Sequence, residues 1–163
     1  MLQAEGLRHA FDRVRALDGI SFTLSAGQTL ALFGPNGAGK TTLLKVLAGL
    51  IRPQQGRAVV EGGRRAVGWI GHQSHLYGHL TVRENLLFWG SLYDLPAAEF
   101  RRLLRELGGG RIVVLATHNV DEGVELATDV AFQARGRFVH FAPRAGRGGA
   151  EIAEAYRQAV AGA

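Results

Sequence analysis

One stretch of the chain has the residue types and spacing of a phosphate-binding loop. It fits the pattern G-x-x-x-x-G-K-[ST] and consists of Gly34, Pro35, Asn36, Gly37, Ala38, Gly39, Lys40 and Thr41. The glycines allow backbone turns in which successive N–H groups point toward a phosphate. The Lys40 ammonium suits β- and γ-phosphates, the Thr41 hydroxyl suits a magnesium ion, and Thr42 can add a further phosphate contact. These residues therefore favour binding of a nucleoside triphosphate with Mg²⁺.

The segments on either side of this motif predict a strand, a loop and a helix in that order. Thr29–Phe33 is a short apolar run followed by glycine, which is typical of a buried strand. Apolar residues recur with helical spacing from Lys40 to Ile51, and Pro53 ends that helix. Since a helix N-terminus carries partial positive charge, the predicted helix adds a favourable field at the loop. This context makes a chance match in a glycine-rich chain the weaker interpretation.

The rest of the pattern mixes strands with helices and predicts an α/β domain. Short apolar or alternating runs predict strands at 20–24, 58–60, 66–70 and 112–117, the last of them buried on both faces. A capping box at Thr81 and Glu84 opens a helix to about Tyr93, and a second helix from Pro96 ends at Gly108. Residues 130–134 and 138–141 predict a hairpin, and an amphipathic helix follows at the C-terminal end.

The composition limits the classes of function that this chain can have. The chain has 163 residues, 47% of them hydrophobic and 20% charged, which is typical of one globular domain. No run predicts a membrane span or a signal peptide, and the absence of cysteine excludes disulfides, so we expect a cytoplasmic location. The net charge of +5 is carried by scattered arginines, since Lys40 and Lys45 are the only lysines. We interpret this as a solvated surface and expect no nucleic-acid partner.

The residues around the motif resemble the ATP-binding subunits of ABC transporters. The similarity begins at Ala16-Leu-Asp-Gly-Ile-Ser-Phe, continues through the loop, and extends over Leu47-Ala-Gly-Leu-Ile-Arg-Pro53 to Gly56. It implies an α/β fold of the P-loop NTPase class with an antiparallel β part at the N-terminus and a helical subdomain. It also implies ATP and Mg²⁺ as ligands, transmembrane permease subunits and a second ATPase subunit as partners, and a peripheral position on the inner face of the cell membrane.

Three residues outside the loop match functional positions of that family. Phe11 falls where the family places an aromatic ring that stacks on adenine. The resemblance assigns catalytic roles to Gln73, which would reach the metal and the attacking water, and to His118, which would contact the γ-phosphate. Magnesium binding is thus assigned to Thr41 and Gln73. From the residues alone, Phe11 also suits a core position, Gln73 a polar loop and His118 a structural strand end.

Two segments narrow the resemblance to one kind of exporter. Gly68-Trp-Ile-Gly-His-Gln73 and Leu80-Thr-Val-Arg-Glu-Asn-Leu-Leu-Phe-Trp89 resemble the heme exporter ATPase of cytochrome c maturation. The function that this implies is ATP-driven export of heme. Three histidines lie nearby, at positions 72, 75 and 79, but no acid or cysteine accompanies them as a metal ligand, so we assign them no metal or heme.

Two motifs that the family needs for hydrolysis have no counterpart in this sequence. One is a signature loop resembling Leu-Ser-Gly-Gly-Gln, and the other is an apolar strand that ends in Asp-Glu. Between Gln73 and His118 there is no room for them beyond the two predicted helices. Leu107–Arg111 is better explained as a helix stop, and Asp121-Glu122 as the start of a helix.

We therefore expect a single ABC ATPase-like domain over 1–163 with an internal deletion. The helical subdomain would be reduced to a remnant at about 75–108, and the sheet would be incomplete or re-paired. ATP binding would persist while hydrolysis would be slow or absent, because phosphoryl transfer also requires a placed metal and water.

Other classes of function stay open. A nucleotide-binding module that docks on a permease or on an intact subunit without hydrolysis would carry the same residues, as would a fragment produced by gene prediction. A small P-loop kinase would suit the length, but the strand-rich segment before the loop favours the ABC resemblance.

Overall fold

The computed structural model describes residues 1–63, 67, 110–116, 120, 123–124 and 127–161. The strands and helices in these ranges are β1 (Leu2–Phe11), β2 (Val14–Leu24), β3 (Thr29–Phe33), α1 (Lys40–Leu47), β4 (Gln55–Val60), β5 (Val113–Ala116), β6 (Asp129–Ala134), β7 (Arg137–Pro143) and α2 (Gly149–Ala161). All of them belong to one compact unit, Met1–Gly68 with Ile112–Ala163, and Trp69–Arg111 is assigned to a second unit. Neither α1 nor α2 has the length and apolar character required of a membrane span.

An antiparallel sheet of three strands forms the N-terminal part, in the order β2-β1-β4. The β1–β2 ladder begins at Leu2 opposite Leu24 and ends at Phe11 opposite Val14. Its register shifts between His9, which pairs with Leu17, and Ala10, which pairs with Arg15. Ala16 is therefore an extra residue on β2, a β-bulge. The predicted antiparallel part is confirmed, and the strand predicted at 20–24 is the second half of β2, which begins earlier, at Val14.

A second sheet has the order β5-β3-β6-β7, with β5 and β6 parallel to β3 and β7 antiparallel to β6. The predicted hairpin is confirmed as β6 and β7. Its turn residues Arg135 and Gly136 have φ of 47° and 78°. A two-residue hairpin turn of type I′ requires a positive φ at both positions. The mixed sheet, the antiparallel sheet and α1 give the α/β class that the sequence predicts.

The side chains of the second sheet alternate between two cores. Leu30 and Leu32 face a cluster that also contains Leu43 of α1 and residues of β1 and β2. Ala31 and Phe33 face the other cluster, where Ile152 of α2 is fully buried. β3 is thus covered on both faces, which fixes the position of the loop at its carboxyl end.

The prediction for the strand at 112–117 was correct in position and wrong in burial. β5 has Val113 44% exposed, and its other three residues are half-buried. The reason is its place at a sheet edge: within the described ranges β5 pairs only with β3.

The helix after the loop ends earlier than predicted, at Leu47 instead of Ile51. Gly49 N–H donates to the Val46 carbonyl at 2.9 Å, and Leu50 N–H donates to the Lys45 carbonyl at 2.8 Å. This pair of hydrogen bonds, with Gly49 at φ 67°, is the Schellman arrangement that ends helices. The apolar spacing continues beyond the helix because Ile51 still packs against the core.

Several predicted features lie outside the described residues. They are the two helices between 81 and 107, the strand at 66–70 apart from Val67, the three histidines, the Asp121-Glu122 pair, Gln73 and His118.

Candidate functional site

The phosphate-binding motif forms the connection from β3 to α1. Ala38 N–H donates to the Pro35 carbonyl at 3.2 Å, which closes a turn, and Leu43 N–H donates to the Gly39 carbonyl at 2.9 Å as the helix begins. The N-cap residue of α1, Gly39, supplies no side-chain hydrogen bond to the first turn, and that turn contains no acidic residue. The first helical N–H groups and the positive end of the helix dipole therefore suit an anion.

Gly39 is required by both conformation and packing. Its φ is 101°, a region that residues with a Cβ rarely adopt. A Cβ at this position would collide with the carbonyl oxygen of Ala16 and would lie 2.8 Å from Nε2 of Gln133. Gly37, at φ 80°, has no atom within 4 Å of such a Cβ. The loop thus packs tightly against β2 and β6 at Gly39 and is open at Gly37.

The Lys40 ammonium folds back over the loop. Its Nζ donates to the carbonyl of Gly34 at 2.6 Å and to the carbonyl of Pro35 at 2.9 Å. Burial lowers the pKa of Lys40 below its ordinary value of 10.5. The lysine is thereby held at the loop, where a phosphate would compete with two carbonyl oxygens for its protons.

Thr41 and Thr42 occupy the first turn of α1, and both are half-buried. This places a hydroxyl group immediately after the lysine at the helix N-terminus, as the motif predicts.

The β6–β7 turn is hydrogen-bonded both to the loop and to β2. Gly136 N–H donates to the Ala38 carbonyl at 3.1 Å, and the Gly136 carbonyl accepts from Asp18 N–H at 2.9 Å. Arg137 Nε donates to Asp18 Oδ2 at 2.8 Å, and Arg8 and Arg15 lie 3.6 Å and 3.8 Å from the same carboxylate. The hydrogen bond from Arg137 lowers the pKa of Asp18. Asp18 thus joins β2 to the turn that holds the loop.

Phe11 lies at the end of β1, on the hairpin whose other strand passes the loop at Ala16. Phe11 is 52% exposed, and its ring contacts the His9 ring edge-to-face, with centroids 4.7 Å apart. The alternative that Phe11 is a core residue does not fit this exposure. An exposed aromatic face suits stacking on a flat ligand.

Sequence reasoning missed Gln133 and the bulge at Ala16. Gln133 lies in β6, is fully buried, and its Nε2 and Oε1 have no hydrogen-bond partner in the described part of the chain. One signal was present, a glutamine inside the otherwise apolar run at 130–134. The other two site residues from the resemblance, Gln73 and His118, are not among the described residues.

Comparisons with known proteins agree with this fold. The chain is 35% identical over 116 residues to the linearmycin resistance ATP-binding protein LnrL of Bacillus subtilis, covering 66% of this chain and 37% of that protein. It is 50% identical over 80 residues to the cytochrome c biogenesis ATP-binding export protein CcmA of Ruegeria pomeroyi, covering 49% of this chain and 38% of that protein. The chain therefore spans about two fifths of the length of these relatives.

A solved structure of an ATP-binding subunit of an ABC transporter superposes with a TM-score of 0.71 over 98% of this chain and 99% of that chain. Its sequence identity of 19% makes this a likeness of fold. The family model described as ABC transporter matches residues 17–135, which include the loop, α1 and β6. With the phosphate-binding loop between β3 and α1 and with this match over most of its length, the chain belongs to the ABC transporter family.

Proposed function

We propose that this chain binds ATP at the loop between β3 and α1 as the nucleotide-binding part of an ABC transporter. The observation that carries the proposal is the N-terminus of α1, where the N-cap Gly39 supplies no side-chain hydrogen bond, with the Lys40 ammonium held over the loop. A polyphosphate would receive hydrogen bonds from the loop N–H groups and from Lys40. Thr41 would be a magnesium ligand, and Gln73 is proposed as a second one from the resemblance.

The residues at this end of α1 fit Mg²⁺ with ATP. Thr41 supplies a hydroxyl oxygen next to the phosphate-binding N–H groups, and Mg²⁺ prefers oxygen ligands shared with substrate phosphates. When bound, the ion neutralises charge on the β- and γ-phosphates. The protein's own part is to orient the triphosphate with the loop backbone and Lys40.

Phe11 is proposed as the adenine contact. Its exposed ring stands on the β1–β2 hairpin, and the same hairpin reaches the loop through the Ala16 carbonyl. An aromatic face stacks on any flat base, so this contact would add affinity without selecting strongly among nucleotides.

Hydrolysis is proposed to be slow or absent. Neither a signature loop nor an apolar strand ending in Asp-Glu occurs in the sequence. Gln73 and His118 would then contact the metal and the γ-phosphate without the carboxylates that place the attacking water.

We also propose a role in transport, because the chain belongs to the ABC transporter family. Permease subunits and a second ATPase subunit would be the partners, at the inner face of the cell membrane. Heme is the proposed cargo, supported by the resemblance of Gly68–Gln73 and by the 50% identity to a cytochrome c biogenesis export protein. Copurification with the heme permease subunits, and not with other permeases, would test the cargo.

Binding of ATP is tested by isothermal titration calorimetry of the wild type and Lys40→Ala. The variant should bind Mg-ATP about 10- to 100-fold more weakly, since charge-assisted hydrogen bonds to phosphate are lost. Lys45→Ala is the matched control, because Lys45 is exposed at the other end of α1 and should change nothing. Equal affinity of the wild type and Lys40→Ala would disprove binding at this loop.

A further inference from the structure

The surroundings of Gly39 bring three separate elements together beneath the N-terminus of α1. They are the bulge of β2 at Ala16, the carboxyl end of β6 at Gln133, and the loop itself. The Ala16 carbonyl and Gln133 Nε2 lie on the same side of Gly39, since a Cβ there would meet both. A hydrogen-bond acceptor and a donor therefore converge at the one point where the loop is most tightly packed.

The side-chain amide of Gln133 could form hydrogen bonds that it does not make in this structure. Its side chain is 0% exposed, and both amide atoms have no partner among the described residues. A buried unpaired amide is costly, and native structures rarely keep one without a reason. An apolar side chain of the same size would fill β6 without that cost.

The Ala16 carbonyl is a suitable partner for this amide. Ala16 is the extra residue of a β-bulge, and bulged residues are left out of the ladder. Its carbonyl oxygen lies against Gly39 of the loop. The backbone of Gln133 is also in direct contact with the loop, because its carbonyl oxygen blocks any Cβ at Gly34. A small displacement of the loop would therefore move it relative to both the Ala16 carbonyl and Gln133.

A phosphate bound at the loop would compete for the hydrogen bonds that hold the loop in its present arrangement. Lys40 Nζ donates to the carbonyls of Gly34 and Pro35, and a phosphate would draw these protons to itself. The two carbonyls would be released, and the loop would adjust between its contacts to β2 and β6.

We propose that Gln133 is a positioning residue for nucleotide binding, whose Nε2 donates to the Ala16 carbonyl when the loop holds phosphate. The hydrogen bond forms only in the bound arrangement, so it strengthens binding by the difference between the two states. This inference rests on the proposed ATP site. It assigns Gln133 no contact with the nucleotide.

The test is Gln133→Met, which keeps the length and apolar volume of the side chain and removes its hydrogen-bonding groups. Binding of Mg-ATP should become about three- to tenfold weaker, as expected for one net hydrogen bond. Stability without nucleotide, measured by urea unfolding, should stay equal or increase, because an unpaired buried amide has been removed. Gln158→Met, which loses an exposed hydrogen bond to Glu154 on α2, is the matched control and should leave the affinity unchanged.

The possible outcomes distinguish the positioning role of Gln133 from the proposed binding of ATP at the loop. Unchanged ATP affinity in Gln133→Met would overturn the positioning role, as would weaker binding accompanied by an equal loss of stability without nucleotide. If Gln133→Met does not fold, Gln133→Leu provides the same comparison. Failure of the wild type itself to bind ATP would overturn the proposed function, and this inference with it.

Discussion

Gly39 is the residue on which the geometry of the loop depends most strongly. It combines a positive φ with a packing contact that excludes any side chain, and it is the N-cap of α1. The motif in the sequence predicted a glycine here for the backbone turn. The second requirement, contact with Ala16 and Gln133, could not be predicted, because it depends on a bulge in a distant strand and on burial of an amide.

Gly39→Ala should destabilise the protein by about 2–5 kcal/mol, since strain at positive φ adds to a collision with the Ala16 carbonyl. Gly37→Ala has the same sign of φ and open space, so it should cost only about 1–2 kcal/mol. Urea unfolding of both variants measures the difference. Equal losses would show that the packing contact at Gly39 is unimportant.

At the scale of the elements, the contact between β2 and the β6–β7 turn could not be predicted from the sequence. Asp18 and Arg137 are 119 positions apart, and their hydrogen bond sits beside the turn that holds Ala38. The Asp18 side chain is only 7% exposed although it faces three arginines. Spacing along the chain carries no information about such a pair.

Asp18→Asn should lower stability at pH 7, and the deficit should shrink in acid. The pKa of Asp18 in the folded chain is lowered by Arg137 below the ordinary value of 3.8. Its contribution is therefore fully present above that value and is lost as the pH falls through the lowered pKa. Urea unfolding at a series of pH values from 7 to about 3 measures this.

Glu154→Gln, which breaks an exposed pair with Arg157 on α2, is the control and should cost less at pH 7. The explanation would be wrong if both variants lost the same stability, or if the deficit of Asp18→Asn did not change with pH.

Strands and helices were predicted well where one local pattern determined them. β3, the β6–β7 hairpin and the start of α1 follow from apolar runs and glycine positions. The end of α1 was misplaced because Ile51 continues the apolar spacing while packing from beyond the helix. The burial of β5 was overestimated because an apolar run shows that a strand is apolar, and it does not show how many strands lie beside it.

At the scale of the whole molecule, the central claim is that this chain separates ATP binding from ATP hydrolysis. The loop, α1 and the β6–β7 turn are assembled as a binding site needs them. The signature loop and the strand ending in Asp-Glu, whose carboxylates would place the attacking water, are missing from the sequence. ATP binding depends on the loop and the elements that hold it. Phosphoryl transfer depends on these elements and also on the missing motifs.

The most direct test is the release of phosphate from Mg-ATP by the purified chain, measured beside ATP binding, with Lys40→Ala as the reference. We predict that Lys40→Ala binds ATP about 10- to 100-fold more weakly than the wild type, while both release phosphate at the same background rate. Phosphate release by the wild type that is well above background and disappears in Lys40→Ala would contradict the account.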